Sequence, residues 1–411
     1  MKVWLSLCVG LALAAGTVAA GDWPQWRGAD RKDIQTETGL MQSWPEGGPQ
    51  RVWLNTDVGL GYSGVAVVGD TLYTMGARGE DEFLIAVNVA DGTERWATKM
   101  GGRLGNDWGD GPRGTPAVDG DRVYGLSGIG VLACLQTADG KLLWEKSLSD
   151  FGGRRPNWGY CESVTIDGQQ VLCTPGGKQG AVLALDKVTG STLWQSQNFT
   201  DGAHYSSIVP IDFAGKHQLI QLTKDTLVGL DAATGDVLWK TGWPGQTAVI
   251  PTPIFKDGYV YITSGYGVGC KLVKLESDLQ ATEVYFNKEM KNHHGGVILI
   301  GDHVYGHSDP AGWMCQDFLS GEKVWVEREV LGKGSVTCAD GRLYCLDERD
   351  GTVKLVEPSP EGWKEHGQFK LSPQTEQRSP SGRIWTHPVV ANGKLYLRDQ
   401  EILLCYDVKA P

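Results

Sequence analysis

The sequence has few of the features that mark metal-binding, haem-binding or nucleic-acid-binding proteins. No CxxC or CxxCH motif occurs among its 9 cysteines, which argues against a zinc ribbon and against covalently attached c-type haem. The 38 lysines and arginines are outnumbered by 49 aspartates and glutamates, and no basic stripe offsets the net charge of -11. The chain therefore lacks the electrostatics of a nucleic-acid-binding protein. After residue 20, no run is apolar enough to span a membrane.

The first twenty residues have the pattern of a secretory signal peptide. Lys2 gives a positive start, residues 3–15 are largely apolar, and Val18-Ala19-Ala20 is a small-residue cleavage site before Gly21. The apolar run is short for a helix that spans a bilayer. We therefore expect residues 1–20 to be removed, and residues 21–411 to form a single domain in the periplasm or outside the cell.

Cleavage would leave eight cysteines, an even number in an exported protein. Cys161 with Cys173, and Cys338 with Cys345, flank Asp-Gly turns and could form disulfides across hairpins. The alternative is a set of buried free thiols. The sequence favours neither over the other.

Glycine and tryptophan are abundant instead, with 57 and 16 copies. Residues 227–239, LVGLDAATGDVLW, have the pattern of a strand, a tight turn and a second strand that carries a tryptophan. Glycine and tryptophan recur at the same spacing of four and four in five copies. These are Asn88-Gly92-Trp96, Gln136-Gly140-Trp144, Asp186-Gly190-Trp194, Asp231-Gly235-Trp239 and Asp317-Gly321-Trp325. The pattern indicates a repeat scaffold whose tryptophans are mostly buried between the units.

Eight units of about four short strands follow one another, which is the period expected for propeller blades. They start near residues 62, 113, 160, 205, 250, 294, 334 and 386. The last unit stops at Asp407-Val408 without a fourth strand, whereas residues 51–57, RVWLNTD, form a strand without a unit. The sequence therefore predicts an all-β, eight-bladed β-propeller with four-stranded antiparallel blades, whose ring is closed by the N-terminal strand.

The repeat also resembles that of a known superfamily. Residues 184–194, ALDKVTGSTLW, are similar to the tryptophan-docking repeat A-x-D-x-x-T-G-x-x-x-W of the PQQ-like, or quinoprotein alcohol dehydrogenase-like, propellers. The resemblance extends over about residues 44–408, and the opening DWPQWRG resembles the start of exported bacterial PQQ-like repeat proteins. It implies eight blades with tryptophans packed between neighbours. The superfamily includes dehydrogenases that use pyrroloquinoline quinone (PQQ) and the non-catalytic propeller of the outer-membrane β-barrel assembly machinery.

The long loops are expected to share one face of the ring. Because strand direction alternates, the second-to-third connections and the blade-to-blade connections lie on the same side, where function usually resides. These loops are residues 101–114, 149–158, 198–204, 307–312 and 372–386. Their ends converge on the channel mouth and combine aromatic, cationic and neutral hydrogen-bonding side chains. The predicted ligand-binding residues are Trp108, Arg113, Asn157, Trp158, Glu162, His204, Tyr205, His293, His294, Arg383, Trp385 and His387.

These residues suit a small polar or planar ligand, or a protein partner, at the mouth. The alternative is a solvated rim whose aromatic side chains seal the blade junctions. Glu162 stands where the other blades carry small residues or proline, and it is the one candidate for a catalytic base or a cation ligand. It could equally pair with Arg113, Arg154 or Arg155. His293 and His294 point to opposite faces of an extended chain, so no metal site is predicted from them.

Three functions are consistent with the resemblance. The first is a monomeric exported propeller that binds a ligand or a protein at its channel mouth. The second is a PQQ-dependent alcohol or sugar dehydrogenase with Ca²⁺, and the third is a scaffold that resembles the assembly propeller. The dehydrogenases typically carry adjacent cysteines and a Glu/Asn/Asp calcium site, but this chain has no adjacent cysteines and only Glu162 as a carboxylate candidate. The assembly propeller usually carries a lipidated cysteine after its signal, which is not present here. We therefore predict the binding module, with no cofactor assigned.

The export prediction can be tested directly. N-terminal sequencing of the protein recovered from the periplasm or the medium should give a chain that starts at about Gly21. Recovery of the uncleaved chain from the membrane fraction would contradict it.

Overall fold

Strands in residues 21–411, the part of the chain that the computed structural model describes, group into eight antiparallel sheets around a central channel. The predicted signal peptide, residues 1–20, lies outside the described residues. Each sheet is one blade, and consecutive strands in a blade are neighbours, with the first strand innermost. The eight-bladed propeller that the sequence predicts is confirmed.

The blades follow one another along the chain. The first has strands Ala66–Val68, Thr71–Arg78, Asp81–Asn88 and Glu94–Gly102, and the second has Ala117–Asp119, Arg122–Leu126, Val131–Gln136 and Leu142–Ser147. The third has Thr165–Asp167, Gln170–Cys173, Leu183–Asp186 and Thr192–Gln195, and the fourth has Val209–Phe213, Lys216–Leu222, Thr226–Asp231 and Val237–Gly242. The fifth has Ile254–Lys256, Tyr259–Ser264, Gly269–Leu275 and Ala281–Asn287, and the sixth has Val297–Ile300, His303–Ser308, Gly312–Asp317 and Lys323–Glu327. The seventh has Gly334–Ala339, Arg342–Asp347, Thr352–Glu357 and Lys364–Lys370, and the eighth has Val389–Ala391, Lys394–Asp399 and Ile402–Asp407.

The eighth blade is completed from the other end of the chain. Strand Arg51–Asn55 pairs antiparallel with Ile402–Asp407, and this pairing supplies the missing outer strand. Trp53 on this strand donates from its indole Nε1 to the carbonyl oxygen of Val89 in the first blade, at 2.8 Å. The predicted closure of the ring by the N-terminal strand is thus confirmed, and it leaves no open blade edge at the junction.

The repeat tryptophans join neighbouring blades through the glycine of the next turn. Trp144 donates from Nε1 to the Lys187 carbonyl oxygen of the next blade at 3.2 Å, and its ring lies on Gly190 of that blade. A Cβ atom on Gly190, whose φ is +70°, would lie 2.7 Å from the Trp144 ring. Glycine is therefore required both for its left-handed backbone and for the close approach of the ring. The same arrangement recurs between Trp53 and Gly92, Trp96 and Gly140, and Trp194 and Gly235.

Blades four to six vary this contact, and in the sixth the Trp325 indole donates to the Ser359 carbonyl oxygen at 2.8 Å. In the fifth blade Tyr285 takes the tryptophan position and donates from its hydroxyl to the Phe318 carbonyl oxygen at 2.9 Å, while its ring lies on Gly321. In the fourth blade Trp239 is only 5% exposed, but its indole donates to Gln218 of its own blade. The other repeat tryptophans are partly buried, as expected for rings that pack between blades.

The N-terminal segment, residues 21–35, lies across the channel, which the sequence did not predict. It makes backbone or side-chain hydrogen bonds to the innermost part of six blades, at Val67, Val118, Val164, Thr252, Val297 and Val390. In the seventh blade it adds a short parallel strand, Ile34–Gln35, to the inner edge, so that sheet has five strands. The segment therefore ties the inner strands together and forms a floor inside the ring.

All eight cysteines in the described part of the chain are free thiols. The strand register explains why Cys338 and Cys345 do not pair, because Cys338 lies opposite Leu343 and Cys345 lies opposite Val336. Most of the thiols are buried among apolar side chains. The one helix among residues 21–411 is the short 3-10 turn Leu148–Phe151, and no described helix has the length and apolarity to cross a membrane.

Replacing Gly190 by alanine should destabilise the ring more than the same change at Gly168. Both glycines have positive φ, +70° and +57°, so both variants carry the strain of a left-handed alanine. Only at Gly190 does the new methyl group meet a tryptophan ring, whereas nothing lies within 4 Å of a Cβ atom on Gly168. Urea unfolding of the two variants should differ by about 1–3 kcal/mol in the free energy of unfolding. Equal losses would show that the ring contact adds nothing.

Candidate functional site

A central cavity of about 180 Å³ lies at the channel mouth. Eight of the predicted ligand-binding residues line it, namely Trp108, Arg113, Trp158, Tyr205, His293, His294, Trp385 and His387. They come from blade-to-blade loops that are distant in sequence and that the ring brings together.

Four predicted residues do not line the cavity. Asn157 is exposed on the rim, where its carbonyl oxygen accepts from the Asn106 amide at 3.2 Å. His204 accepts at Nδ1 from the Val249 N–H at 2.9 Å, which holds it in a blade junction. Arg383 donates to the carbonyl oxygens of its own loop, at residues 380 and 382. Glu162 is 2% exposed and lies inside the wall. The hydrogen-bond partners of Asn157, His204 and Glu162 lie 51, 45 and 12 residues away, so a sequence pattern does not reveal where these residues face.

Thirteen lining residues were not predicted, and four of them carry aromatic or charged side chains. Trp26 and Arg27 come from the segment that crosses the channel, and their signal in the sequence is the WPQWRG stretch. Tyr62 precedes the first inner strand, and Tyr266 lies in a loop between two glycines. The Gly-Tyr-Gly sequence was the one available signal for Tyr266, because a tyrosine in such a turn is unusual.

The walls of the cavity are largely aromatic. The Trp385 ring lies 5.0 Å from Tyr62 and 6.2 Å from Trp108, measured between ring centroids, and Trp158 lies 5.8 Å from Tyr205. The Tyr62 hydroxyl donates to the Trp108 carbonyl oxygen at 2.6 Å, which joins two rim loops. Trp108 is 45% exposed and stands at the opening. Flat apolar surfaces therefore face the interior, a composition typical of small-ligand sites.

A hydrogen-bonded carboxylate fixes one of these walls from behind. Glu348 accepts hydrogen bonds from His294 Nε2 and from the Trp385 indole, the latter at 3.1 Å. Burial alone would raise the pKa of Glu348, but the nearby His294 and Lys333 lower it overall. Glu348 is therefore ionised at neutral pH, and its charge is used by groups inside the wall rather than offered to the cavity.

Arg113 is a cation of the cavity that forms no ion pair with a described residue, although its charge counteracts the rise in pKa that burial gives to Glu82. Its guanidinium lies 4.9 Å from the centroid of the Tyr62 ring and donates from Nη2 to the Gly109 carbonyl oxygen at 2.7 Å. Its Nε atom is buried and has no hydrogen-bond partner within residues 21–411, and no described acidic side chain forms an ion pair with it. Among the described residues that line the cavity, none is Asp or Glu.

The floor carries a second, neutralised set of charges. Arg27 lies 3.6 Å from Asp33, and both side chains are almost fully buried. Burial raises the pKa of Asp33 to about 6, although Arg27 counteracts this. Burial also lowers the pKa of His387 to about 3, so its imidazole is neutral and donates from Nε2 to the His294 carbonyl oxygen at 2.9 Å.

Glu162 is buried, and it interacts electrostatically with Arg31 of the N-terminal segment. Its carboxylate accepts a hydrogen bond from the Thr174 N–H. Burial raises the pKa of Glu162 to about 7, against the hydrogen bonds from Thr174 and the charge of Arg31. The arginine that acts on Glu162 is thus Arg31, which the sequence did not suggest. No group of three or more His, Cys, Asp or Glu side chains in residues 21–411 could hold a metal ion.

Ionisation of Glu162 should lower stability as the pH rises. Its folded pKa, about 7, exceeds the usual value near 4.5, so the folded protein keeps a proton that the unfolded chain loses. This contribution is complete below about pH 4.5 and disappears as the pH rises through about 7. The free energy of unfolding of Glu162→Gln, relative to the parent, should therefore increase by about 1–3 kcal/mol from pH 5 to pH 8. Urea unfolding at both pH values tests this, with exposed Glu145→Gln as the control. A difference between Glu162→Gln and the parent that stays constant with pH would contradict it.

Known proteins share this architecture. The crystal structure of BamB from Moraxella catarrhalis matches with a TM-score of 0.60 at 16% identity, over 87% of this chain and 99% of that one. Quinohemoprotein alcohol dehydrogenase ADHIIG from Pseudomonas putida HK5 matches with a TM-score of 0.62 at 12% identity, over 95% and 81%. The computationally designed Ika8 protein matches with a TM-score of 0.60 at 10% identity, over 87% and 100%. Because these identities are low, the likeness is one of fold alone.

Sequence comparison gives the family. No curated protein matches the chain significantly. The PQQ_2 family model, described as Outer membrane protein assembly factor BamB, matches residues 80–327, which is more than half of the chain. The chain belongs to this family of PQQ-repeat β-propellers, in agreement with the resemblance of its tryptophan-docking repeat.

Proposed function

We propose that the protein binds, in its central cavity, a small ligand that joins a flat apolar body to an anionic group. The observation that carries this proposal is Arg113, a partly buried guanidinium that lines the cavity, has an Nε without a hydrogen-bond partner and forms no ion pair with a described acidic residue. A buried charge that lacks a counter-charge is costly, and a ligand carboxylate would supply both the charge and the missing acceptor.

The aromatic walls support the flat, apolar part of the ligand. Trp158 and Tyr205 stand together, as do Trp385 and Trp108, and each pair presents ring surface to the cavity. The indole of Trp385 is held by Glu348, so this wall has little freedom to reorient when the ligand enters. A rigid aromatic wall beside a guanidinium favours an aromatic acid over a flexible aliphatic one.

A quinone cofactor with calcium is less well supported. PQQ is flat and carries carboxylates, so it falls within the proposed ligand class. Calcium binds oxygen ligands, with carboxylates prominent among them, but the described lining residues offer hydroxyl, imidazole and guanidinium groups and no carboxylate. Cys161 is the single cysteine among them. The donor set does not fit the cation, and we assign no redox step to the cavity.

Isothermal titration calorimetry with a matched pair of probes tests the proposal. The mature protein should bind 4-isopropylbenzoate more tightly than 4-isopropylbenzamide, because only the first carries the anion. Arg113→Ala should weaken binding of the benzoate by about 10- to 100-fold, the worth of a charged hydrogen bond, and should change binding of the amide little. Trp158→Ala should weaken both probes, since it removes a ring surface that both use.

The control is Arg155→Ala, which removes an exposed arginine from the same face of the ring. It should leave both affinities unchanged. If neither probe binds at millimolar concentration, or if Arg113→Ala and Arg155→Ala have equal effects, the proposal is wrong. PQQ should be titrated with and without Ca²⁺ in the same series, and we expect the cation to make no difference.

A further inference from the structure

A chain of hydrogen bonds runs from a partly exposed ion pair to the cavity. Lys333 Nζ lies 2.5 Å from Asp309 Oδ2 and 2.8 Å from His293 Nδ1. His293 Nε2 in turn lies 2.9 Å from the Tyr266 hydroxyl oxygen. Both Tyr266 and His293 line the cavity, whereas Lys333 and Asp309 stand behind them. These hydrogen bonds therefore support Tyr266. Their donor-to-acceptor direction decides whether the Tyr266 hydroxyl can donate to a ligand.

The ion pair of Lys333 and Asp309 sets the direction of these hydrogen bonds. Burial alone would raise the pKa of Asp309, but hydrogen bonds from His307 and Lys333 lower it to about 2, so Asp309 is ionised. The Lys333 ammonium group has three hydrogens and no lone pair, so it can only donate. His293 Nδ1 must therefore accept the hydrogen bond from Lys333.

The tautomer of His293 follows from this contact. Burial lowers the pKa of His293 to about 3, with His294 and Lys333 adding to the effect, so the ring is neutral and has a single N–H. Because Nδ1 accepts, the hydrogen is on Nε2, and Nε2 donates to the Tyr266 oxygen. The hydroxyl hydrogen of Tyr266 must then point away from His293. Burial raises the pKa of Tyr266, so the hydroxyl keeps this hydrogen.

The backbone also holds Tyr266 in an uncommon position. Its φ is +58°, a left-handed conformation that bulky side chains rarely adopt, and it lies between Gly265 and Gly267. The ring packs edge-on against His293 with 4.8 Å between centroids. The hydroxyl has no other hydrogen-bond partner among the described residues, and the side chain is 45% exposed at the cavity. A strained aromatic residue with a free, oriented donor is an arrangement that stability alone does not require.

From this geometry we propose that Tyr266 donates a hydrogen bond to a second, neutral oxygen of the ligand. The proposal rests on the proposed function, in which Arg113 binds the anionic group. The oxygen at Tyr266 is a carbonyl or a similar neutral acceptor, because Asp309 and Glu348 together place two negative charges behind this wall against the one positive charge of Lys333. The ligand class is thus an aromatic acid that carries an additional keto or carbonyl oxygen. Lys333 and His293 are positioning residues, which act through the Tyr266 hydroxyl.

Calorimetry with 4-acetylbenzoate and 4-isopropylbenzoate tests the assignment. The two acids have nearly the same shape, but only the acetyl compound has the second oxygen acceptor. The parent protein should prefer 4-acetylbenzoate by about 3- to 10-fold, the worth of one neutral hydrogen bond. Tyr266→Phe should abolish this preference, so that the two acids bind with equal affinity. Tyr259→Phe, a tyrosine outside the cavity lining, is the matched control and should retain the preference.

Lys333→Met tests the hydrogen-bond chain that runs from Lys333 through His293 to Tyr266. Without the ammonium donor, His293 can place its hydrogen on either nitrogen, so the preference for the acetyl compound should fall even though Tyr266 is intact. A purely structural role of Lys333 would weaken both acids equally and leave their ratio unchanged. If the parent shows no preference, or if Tyr266→Phe retains it, the assignment of Tyr266 is wrong. Arg113-dependent binding of 4-isopropylbenzoate would in that case still support the proposed function.

Discussion

The packing of an aromatic ring onto a glycine of the next blade is the contact on which the rest of the structure depends. Each blade alone is a small twisted sheet with two exposed edges and little buried surface. The ring of Trp144 on Gly190, and its equivalents around the propeller, convert these sheets into one continuous core. A residue larger than glycine would meet the ring and would also strain the turn. At five of the eight blade junctions, one glycine and one large aromatic residue thereby set the spacing between neighbours.

That spacing positions the cavity. The loops that carry Arg113, Trp158, His293 and Trp385 are unrelated in sequence and are separated by whole blades. They meet because the rings between the blades fix the diameter of the channel, and because the rim loops then bond to each other, as Tyr62 does to Trp108. The cavity consequently has a rigid frame, although almost all of its lining residues lie in loops. This division between scaffold and site is typical of propellers and explains why fold similarity alone does not identify a ligand.

The sequence was sufficient for the repeat and insufficient for the channel. Turn glycines, tryptophans and alternating strands are local signals, so eight blades and the closing strand around Trp53 could be predicted. The path of residues 21–35 could not, because Trp26 and Arg27 are held by single hydrogen bonds to distant blades rather than by any periodic pattern. The orientation of the Arg383 side chain and the electrostatic interaction of Glu162 with Arg31 also depend on particular rotamers. Tyr266 lies in a Gly-Tyr-Gly turn, and its hydrogen bond to His293 could not be predicted from that turn.

The N-terminal segment links the two ends of the chain in a way that constrains the order of folding. Gln35 bonds to the Val390 carbonyl oxygen, 355 residues away in sequence, and strand Arg51–Asn55 completes a blade that is otherwise made of the last strands. A solenoid array can gain or lose a terminal repeat without consequence for distant ones. This ring cannot do so, because Gln35 and strand Arg51–Asn55 pair with Val390 and strand Ile402–Asp407, which are synthesised much later. A deletion at either end would therefore prevent closure of the ring, and a partly synthesised chain can form single blades but cannot complete the circle.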